Sequence, residues 1–316
     1  MSRTQRQKHT RSLVASFLVT SLLVTMFALS AHIVTAQQNL DNVQIESIPV
    51  TENIFMLIGA GGNLGLSVGS DGAFLIDDQF APLTEKILAA ILAETSEPVR
   101  FVVNTHWHND HTGGNENLGG TGAIIVAHEN VRKRMSEDQF LEVLDSRTPA
   151  SPESALPVVT FTESVTFHWN GDEIYVFHVD PAHTDGDSVI YFKGSNVIHA
   201  GDLFFNGMYP FLDTTTGGRL SGIISGVERI LAVSNEETKI IPGHGALASR
   251  AELSEYYEML VTAHKFIRAE VDAGKNREEV IASKPTSTLD AIWGVGFMTA
   301  DVFVGIVYDG MTASGR

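Results

Sequence analysis

The chain of 316 residues contains no cysteine. That excludes disulfides, thiolate metal ligands, thiol nucleophiles and a lipid-modified N-terminal cysteine. Basic residues are also scarce: 21 Lys and Arg stand against 38 Asp and Glu, for a net charge of −17. Such an acidic surface repels phosphate backbones and anionic membranes, which argues against nucleic acid as a partner. Internal repeats and low-complexity tracts are missing too. With 43% hydrophobic and 19% charged residues, the composition is that of an ordinary globular protein with ample core.

Only one long apolar run is present, Leu13 to Leu29, and it lies in a segment unlike the rest. Arg3, Arg6, Lys8 and Arg11 precede it without an acidic residue, and Val34-Thr35-Ala36 supplies small residues behind it. This three-part pattern reads as a secretory signal over residues 1–36, cleaved after Ala36. The expected product is exported, periplasmic or secreted, with no stable membrane association; an uncleaved N-terminal anchor is the alternative. Without those four basic residues the mature chain would carry 17 Lys and Arg against 38 Asp and Glu, a net of −21.

What the chain does have is Thr105-His106-Trp107-His108-Asn109-Asp110-His111, four metal-ligand candidates within six residues. His183, Asp202 in Gly201-Asp202 and His244 in Pro242-Gly243-His244-Gly245 follow. Five imidazoles and two carboxylates suit a pair of borderline divalent cations, two Zn2+ first, with iron or manganese as alternatives. On an extended segment His106 and His108 face one way and Trp107 the other, which suits two ligands on one metal. Asp110 and His111 come after the chain turns and can face a second metal. A carboxylate such as Asp202 can bridge the two. Two cations about 3.5–4 Å apart can hold a bridging hydroxide and stabilise the oxyanion formed on attack.

Hydrophobic patterning places this cluster. Strands are expected over 43–50, 53–58, 64–68 and 73–76, then a helix over 83–94 and a strand over 100–103 that runs into the histidines. A second series follows: strands over 158–161, 165–169, 173–179, 188–192 and 196–198, a helix over 223–232, and a strand over 239–241 that delivers His244. Asn170-Gly171 and Asp71-Gly72 read as hairpin turns. Ser249-Arg250-Ala251-Glu252 reads as a capping box that opens a helix running to Gly274, with further helices near 276–282 and 301–308. Strands then helices, twice over, suggest two packed sheets with helices outside.

The motif order His-x-His-x-Asp-His, His, Gly-Asp, Pro-Gly-His-Gly resembles the metallo-β-lactamase superfamily over roughly 43–248. The resemblance implies an α+β fold, a four-layer αββα sandwich over residues 37–250 with a C-terminal helical extension over 251–316 packed on it. It implies that His106, His108 and His183 hold one zinc, that Asp110, His111 and His244 hold the other, and that Asp202 bridges. Asp77 matches the early aspartate that orients the ligand loop, with Asp78 as the competing choice.

The implied activity is hydrolysis of an ester, thioester, lactone or amide/lactam bond of a small molecule by a metal-bridging hydroxide. Asp110 is the catalytic group that steers the nucleophile and passes its proton on. The bridging aspartate is similar to that of glyoxalase II and lactonases. An exported class B-like β-lactamase and a mononuclear-iron persulfide dioxygenase are the rival readings. Phe204, Phe205, Met208, Tyr209 and Phe211 follow the bridge and are candidates for an apolar substrate pocket, with Tyr209 a candidate oxyanion donor.

Overall fold

The computed structural model describes residues 40–313; the expected signal segment lies outside them. After a single turn at Leu40–Asn42 the described residues continue with four short strands, β1 (Glu46–Pro49), β2 (Ile54–Ile58), β3 (Leu64–Ser67) and β4 (Ala73–Ile76). Helix α1 (Thr84–Glu94) leads to β5 (Val99–Val103), then to the short helices α2 (Asn109–Thr112) and α3 (Asn115–Gly120), β6 (Ile124–His128) and α4 (Glu129–Met135). A small hairpin, β7 (Gln139–Leu141) and β8 (Ser146–Thr148), precedes β9 (Val159–Phe161). Strands β10 (Ser164–Trp169), β11 (Asp172–His178), β12 (Ser188–Phe192) and β13 (Val197–Phe205) follow. The chain closes with α5 (Leu220–Val233), β14 (Lys239–His244), β15 (Ala248–Ser249), α6 (Arg250–Asp272), α7 (Arg277–Ala282), α8 (Asp290–Trp293) and α9 (Ala300–Thr312).

These strands build two large sheets, ordered β1-β2-β3-β4-β5-β6-β9 and β10-β11-β12-β13-β14-β15. Each starts as an antiparallel meander and turns parallel after a helix-bearing crossover, at β4–β5 and at β13–β14. Between the sheets lies one apolar layer, with Phe74, Ile76, Val103 and Val126 facing Ile174, Ile190, Phe192 and Ile241. The outer face of the first sheet packs Leu57, Leu66 and Leu75 on Ile87 and Ile91 of α1. The outer face of the second sheet packs on α5, α6 and α9 through Ile223, Leu253, Leu260 and Phe303. The architecture is therefore αββα, and helix α6 onward covers the second sheet.

Local signals account for several of these boundaries. Asn170 and Gly171 both have positive φ, 52° and 77°, as a tight two-residue hairpin between paired β10 and β11 requires. Ser249 and Glu252 form the capping box that starts α6. Strand β13 is longer than the pattern predicts: it runs nine residues, through the bridging candidate to Phe205, instead of stopping at Ile198. The Gly-Asp pair reads locally as a loop, but pairing with β14 carries the extension, with register shifts around Gly201. Neither the β7–β8 hairpin nor α4 was foreseen.

Candidate metal centre

The ligand candidates come from four segments. Strand β5 ends at Val103, and 104–111 leave it at the carboxyl edge of the parallel strands. Trp107 packs edge-on against His108, ring centroids 4.6 Å apart, and reaches into a small cluster with Ala127, Val131, Met135 and Leu156, which holds the loop down. His183 stands on the turn after β11. Asp202 lies within β13, and His244 ends the adjacent, parallel β14.

Two groups of ligand atoms form: His106, His108, His183 and Asp202, and beside them Asp110, His111 and His244. In the first, His108 Nδ1 lies 3.1 Å from His106 Nε2 and 2.9 Å from His183 Nε2. Asp202 Oδ2 is 3.3 Å from His183 Nε2 and 3.8 Å from His106 Nε2. In the second, Asp110 Oδ2 is 3.6 Å from His111 Nε2 and 3.4 Å from His244 Nε2. Asp202 reaches this group as well, with Oδ1 3.2 Å from His111 Nε2 and Oδ2 3.4 Å from His244 Nε2. One carboxylate thus stands between the two sets.

The far side of three imidazoles is fixed. Asp77 accepts from Thr105 N at 2.8 Å and Thr105 Oγ1 at 2.7 Å, and its Oδ2 lies 2.7 Å from His111 Nδ1. Asp78 instead accepts from Gly114 N at 2.8 Å, so it anchors the turn into α3 and not a ligand. His183 Nδ1 lies 2.8 Å from the Phe211 carbonyl, and Thr105 Oγ1 lies 3.0 Å from His106 Nδ1. Contacts of this kind set which nitrogen is left to bind a metal.

Close packing demands glycine at two positions around the centre. A Cβ on Gly62 would fall 2.1 Å from His111 Cε1, and one on Gly243 would fall 2.0 Å from Asp202 Oδ1. The two loops can approach their ligands only without a side chain.

The chain's own groups also set the charge. Burial holds His106 well below the usual histidine range and His183 at about 4, so both are neutral, as ligation requires. For His244 burial opposes the charged form, but Asp202 and Asp110 outweigh it and raise the pKa to about 9. Burial also opposes ionised Asp110, yet His111 and His244 bring it down to about 2. His111 Nε2 and Asp202 Oδ1 are buried without a hydrogen-bond partner. Buried polar atoms left in this way want an electrophile, and a divalent cation between nitrogen and carboxylate donors fits both.

The aromatic residues after the bridge divide. Phe211 packs 5.8 Å from the His108 ring and 5.7 Å from that of His183, and Phe205 stacks 5.1 Å from that of His244. Phe204, its neighbour in the strand, instead meets Tyr256 of α6 at 5.0 Å. Tyr209 is fully buried, stacked 4.2 Å from Phe303, and its hydroxyl donates to Asp290 Oδ1 at 2.8 Å. Phe204 and Tyr209 are therefore core residues behind the site, contrary to the sequence expectation, and the Tyr209 hydroxyl is committed away from any oxyanion.

Two residues passed over in the sequence belong to the surroundings. Asp213 Oδ2 lies 3.5 Å from His108 Nε2 and is held by Thr215 and Thr216. Asn63 donates to the Pro242 and Gly245 carbonyls at 2.9 and 2.8 Å, which pins the loop carrying His244. The run Asp213-Thr-Thr-Thr-Gly is a local capping pattern that could have marked the first; Asn63 had only its glycine-rich turn. His199, His178 and His128 are structural. His199 Nε2 lies 3.0 Å from the Asn63 carbonyl, and His128 and His178 stack at 3.7 Å.

Known proteins share the sequence pattern and the fold. The hydroxyacylglutathione hydrolase of Pelagibacter ubique (strain HTCC1062) is 25% identical over 165 residues, which cover 52% of this chain and 59% of that protein. This chain thus spans well under two thirds of that relative. Among solved structures, a metallo-β-lactamase from Pontibacter korlensis superposes with a TM-score of 0.57 at 22% identity, covering 69% of this chain and 99% of that one. The sec-alkylsulfatase Pisa1 from Pseudomonas sp. superposes with a TM-score of 0.67 at 15% identity, covering 86% of this chain and 51% of that one. The sequence pattern of the metallo-β-lactamase superfamily matches residues 59–244, from the turn after β2 to the last ligand candidate. By that match, and by the sandwich it predicts, the chain belongs to the metallo-β-lactamase superfamily.

Proposed function

We propose that the protein is a dinuclear metal-dependent hydrolase that cleaves an ester, thioester, lactone or amide bond of a small molecule. The observation that carries this reading is the placement of Asp202, whose carboxylate lies within 3.2–3.4 Å of nitrogens from both ligand sets. His106, His108 and His183 would hold one cation, Asp110, His111 and His244 the other, and Asp202 both. Zinc suits these nitrogen and oxygen donors, with iron or manganese as alternatives. Two such cations lower the pKa of water and take up charge from the carbonyl oxygen.

The remaining work falls to the chain. Asp110 keeps 29% of its side chain exposed, which leaves it open to substrate and water. From there it can accept the proton of the attacking water and deliver it to the leaving group as the C–O, C–S or C–N bond breaks. Phe211 and Phe205 exclude water from behind the histidines. Asp77 and the Phe211 carbonyl hold the imidazoles in orientation. The N-terminal signal pattern supports export to the periplasm or medium, which a mature mass starting at Gln37 would establish.

The test is metal analysis with a substrate panel. About two zinc per chain, with turnover of esters, thioesters or lactones, is the expected result. One iron per chain with persulfide oxidation would replace the reading with a dioxygenase. Nitrocefin turnover without ester turnover would make it a β-lactamase, and turnover confined to a secondary alkyl sulfate would move it to sulfate esters.

A further inference from the structure

The turn at 294–299, in the C-terminal extension, is anchored at both ends. Trp293 and Met298 are buried, Tyr209 N donates to the Trp293 carbonyl at 2.8 Å, and Gly296 abuts the Met208 side chain. Between these anchors Val295 and Phe297 remain 73% and 57% exposed. The Phe297 ring lies 6.2 Å from Phe205 and 6.4 Å from His244. The ring therefore neighbours the aromatic backing of the site and a candidate ligand while more than half of the residue stays exposed. Leaving a phenylalanine in water forgoes its burial energy, and the anchors already satisfy the packing of this turn.

We propose that Phe297, with Val295, seats the apolar arm of the substrate: an alkyl or acyl chain on an uncharged ester, thioester or lactone. This rests on the hydrolase reading and narrows its substrate class. Charge points the same way. Among the described residues every ion pair at the centre joins a histidine to a carboxylate, with no Lys or Arg taking part. No Lys or Arg is therefore paired with the ligands to receive a charged arm, whereas an apolar arm meets a ring face.

The experiment compares the metal-loaded full chain with Phe297→Ser, Phe297→Leu, Val295→Ser and the remote control Leu92→Ser on p-nitrophenyl esters from acetate to octanoate. The wild type should show kcat/KM rising with chain length. Phe297→Ser should lower the octanoate-to-acetate ratio about tenfold, mainly through KM, as expected when several methylenes lose a contact surface. Val295→Ser should lower it less, Phe297→Leu should restore most of it, and Leu92→Ser should leave it unmoved. Profiles that run parallel in wild type and Phe297→Ser would overturn the proposal. A second readout needs no turnover: octanoate, titrated calorimetrically, should bind Phe297→Ser about tenfold more weakly than wild type, and equal binding would overturn it. Octanoate binding that depends on Phe297 in a protein inert to every ester, thioester, lactone and amide would sink the hydrolase reading and leave the apolar seat standing. If Phe297→Ser instead turned a dimer into a monomer in sedimentation with the ratio unchanged, the patch would be a contact between copies and the proposal would fail.

Discussion

Asp77 Oδ2 meets His111 Nδ1 at 2.7 Å, while the other oxygen takes the Thr105 amide at 2.8 Å. One buried carboxylate at the end of β4 thus fixes both the start of the ligand loop and the orientation of its last imidazole. Asp77→Ala would strand these buried donors. It should lower the unfolding free energy by about 3 kcal/mol and weaken metal binding roughly 10–100-fold. Denaturant titration and competitive chelation check the two effects. Loss of stability with unchanged metal affinity would mean that the His111 contact does not position the ring.

Asp110 has few duties in the fold, since its side chain is partly exposed and, among the described residues, its carboxylate is paired only with His111 and His244. Asp110→Ala should fold with a melting temperature within a few degrees of wild type, yet lose on the order of 10²–10⁴ in kcat/KM. Metal content should fall toward one equivalent. Near wild-type rates in this variant would remove the second cation from the mechanism.

Tyr209→Phe offers the opposite test. Its hydroxyl is spent on Asp290, so the change should cost about 1 kcal/mol of stability and leave kcat/KM within about twofold, since an oxyanion donor would instead be worth about 10²–10³ in kcat. A loss of that larger size would return the tyrosine to the active site.

His128 gives the fold an acid-sensitive point away from the ligands. Burial, assisted by the charge of His178 stacked on it, brings its pKa down to about 4. A histidine depressed on folding binds its proton more readily when unfolded. Its stabilising contribution is therefore complete above the unfolded value near 6.5 and is lost as pH falls toward 4. With chelator present, so that metal release does not intervene, His128→Gln should flatten the slope of unfolding free energy against pH in that window by up to one proton. An unchanged slope would show that the pair titrates normally.

Much of this was legible in the sequence because periodicity and ligand spacing are local. Strand β5 running into the histidines, the Asn170-Gly171 hairpin and the Ser249 capping box each depend on a few adjacent residues. The roles of the aromatic residues after Asp202 were not, because they depend on which face of β13 each one takes and on what α6 and α9 bring against it. Phe204 and Phe205 differ by one position, yet one meets Tyr256 of α6 and the other stacks on His244. Asp213 escaped because its meaning is set by His108, 105 residues earlier. Phe297 escaped for a similar reason: only folding brings the tail to the rim beside His244.

The seven candidate ligands straddle the seam of the sandwich, four on the loop that leaves β5 and three on the segment from His183 to His244. Cations seated there would act as rivets between two sheets that are also joined by side-chain contacts such as Phe74 against Phe192, 6.3 Å apart, and by the Ser188 amide donating to the Thr105 carbonyl. Breathing of the sheets and loosening of the metals would then be a single motion, and a swelling deep in the interior would be felt as weaker metal retention at the rim.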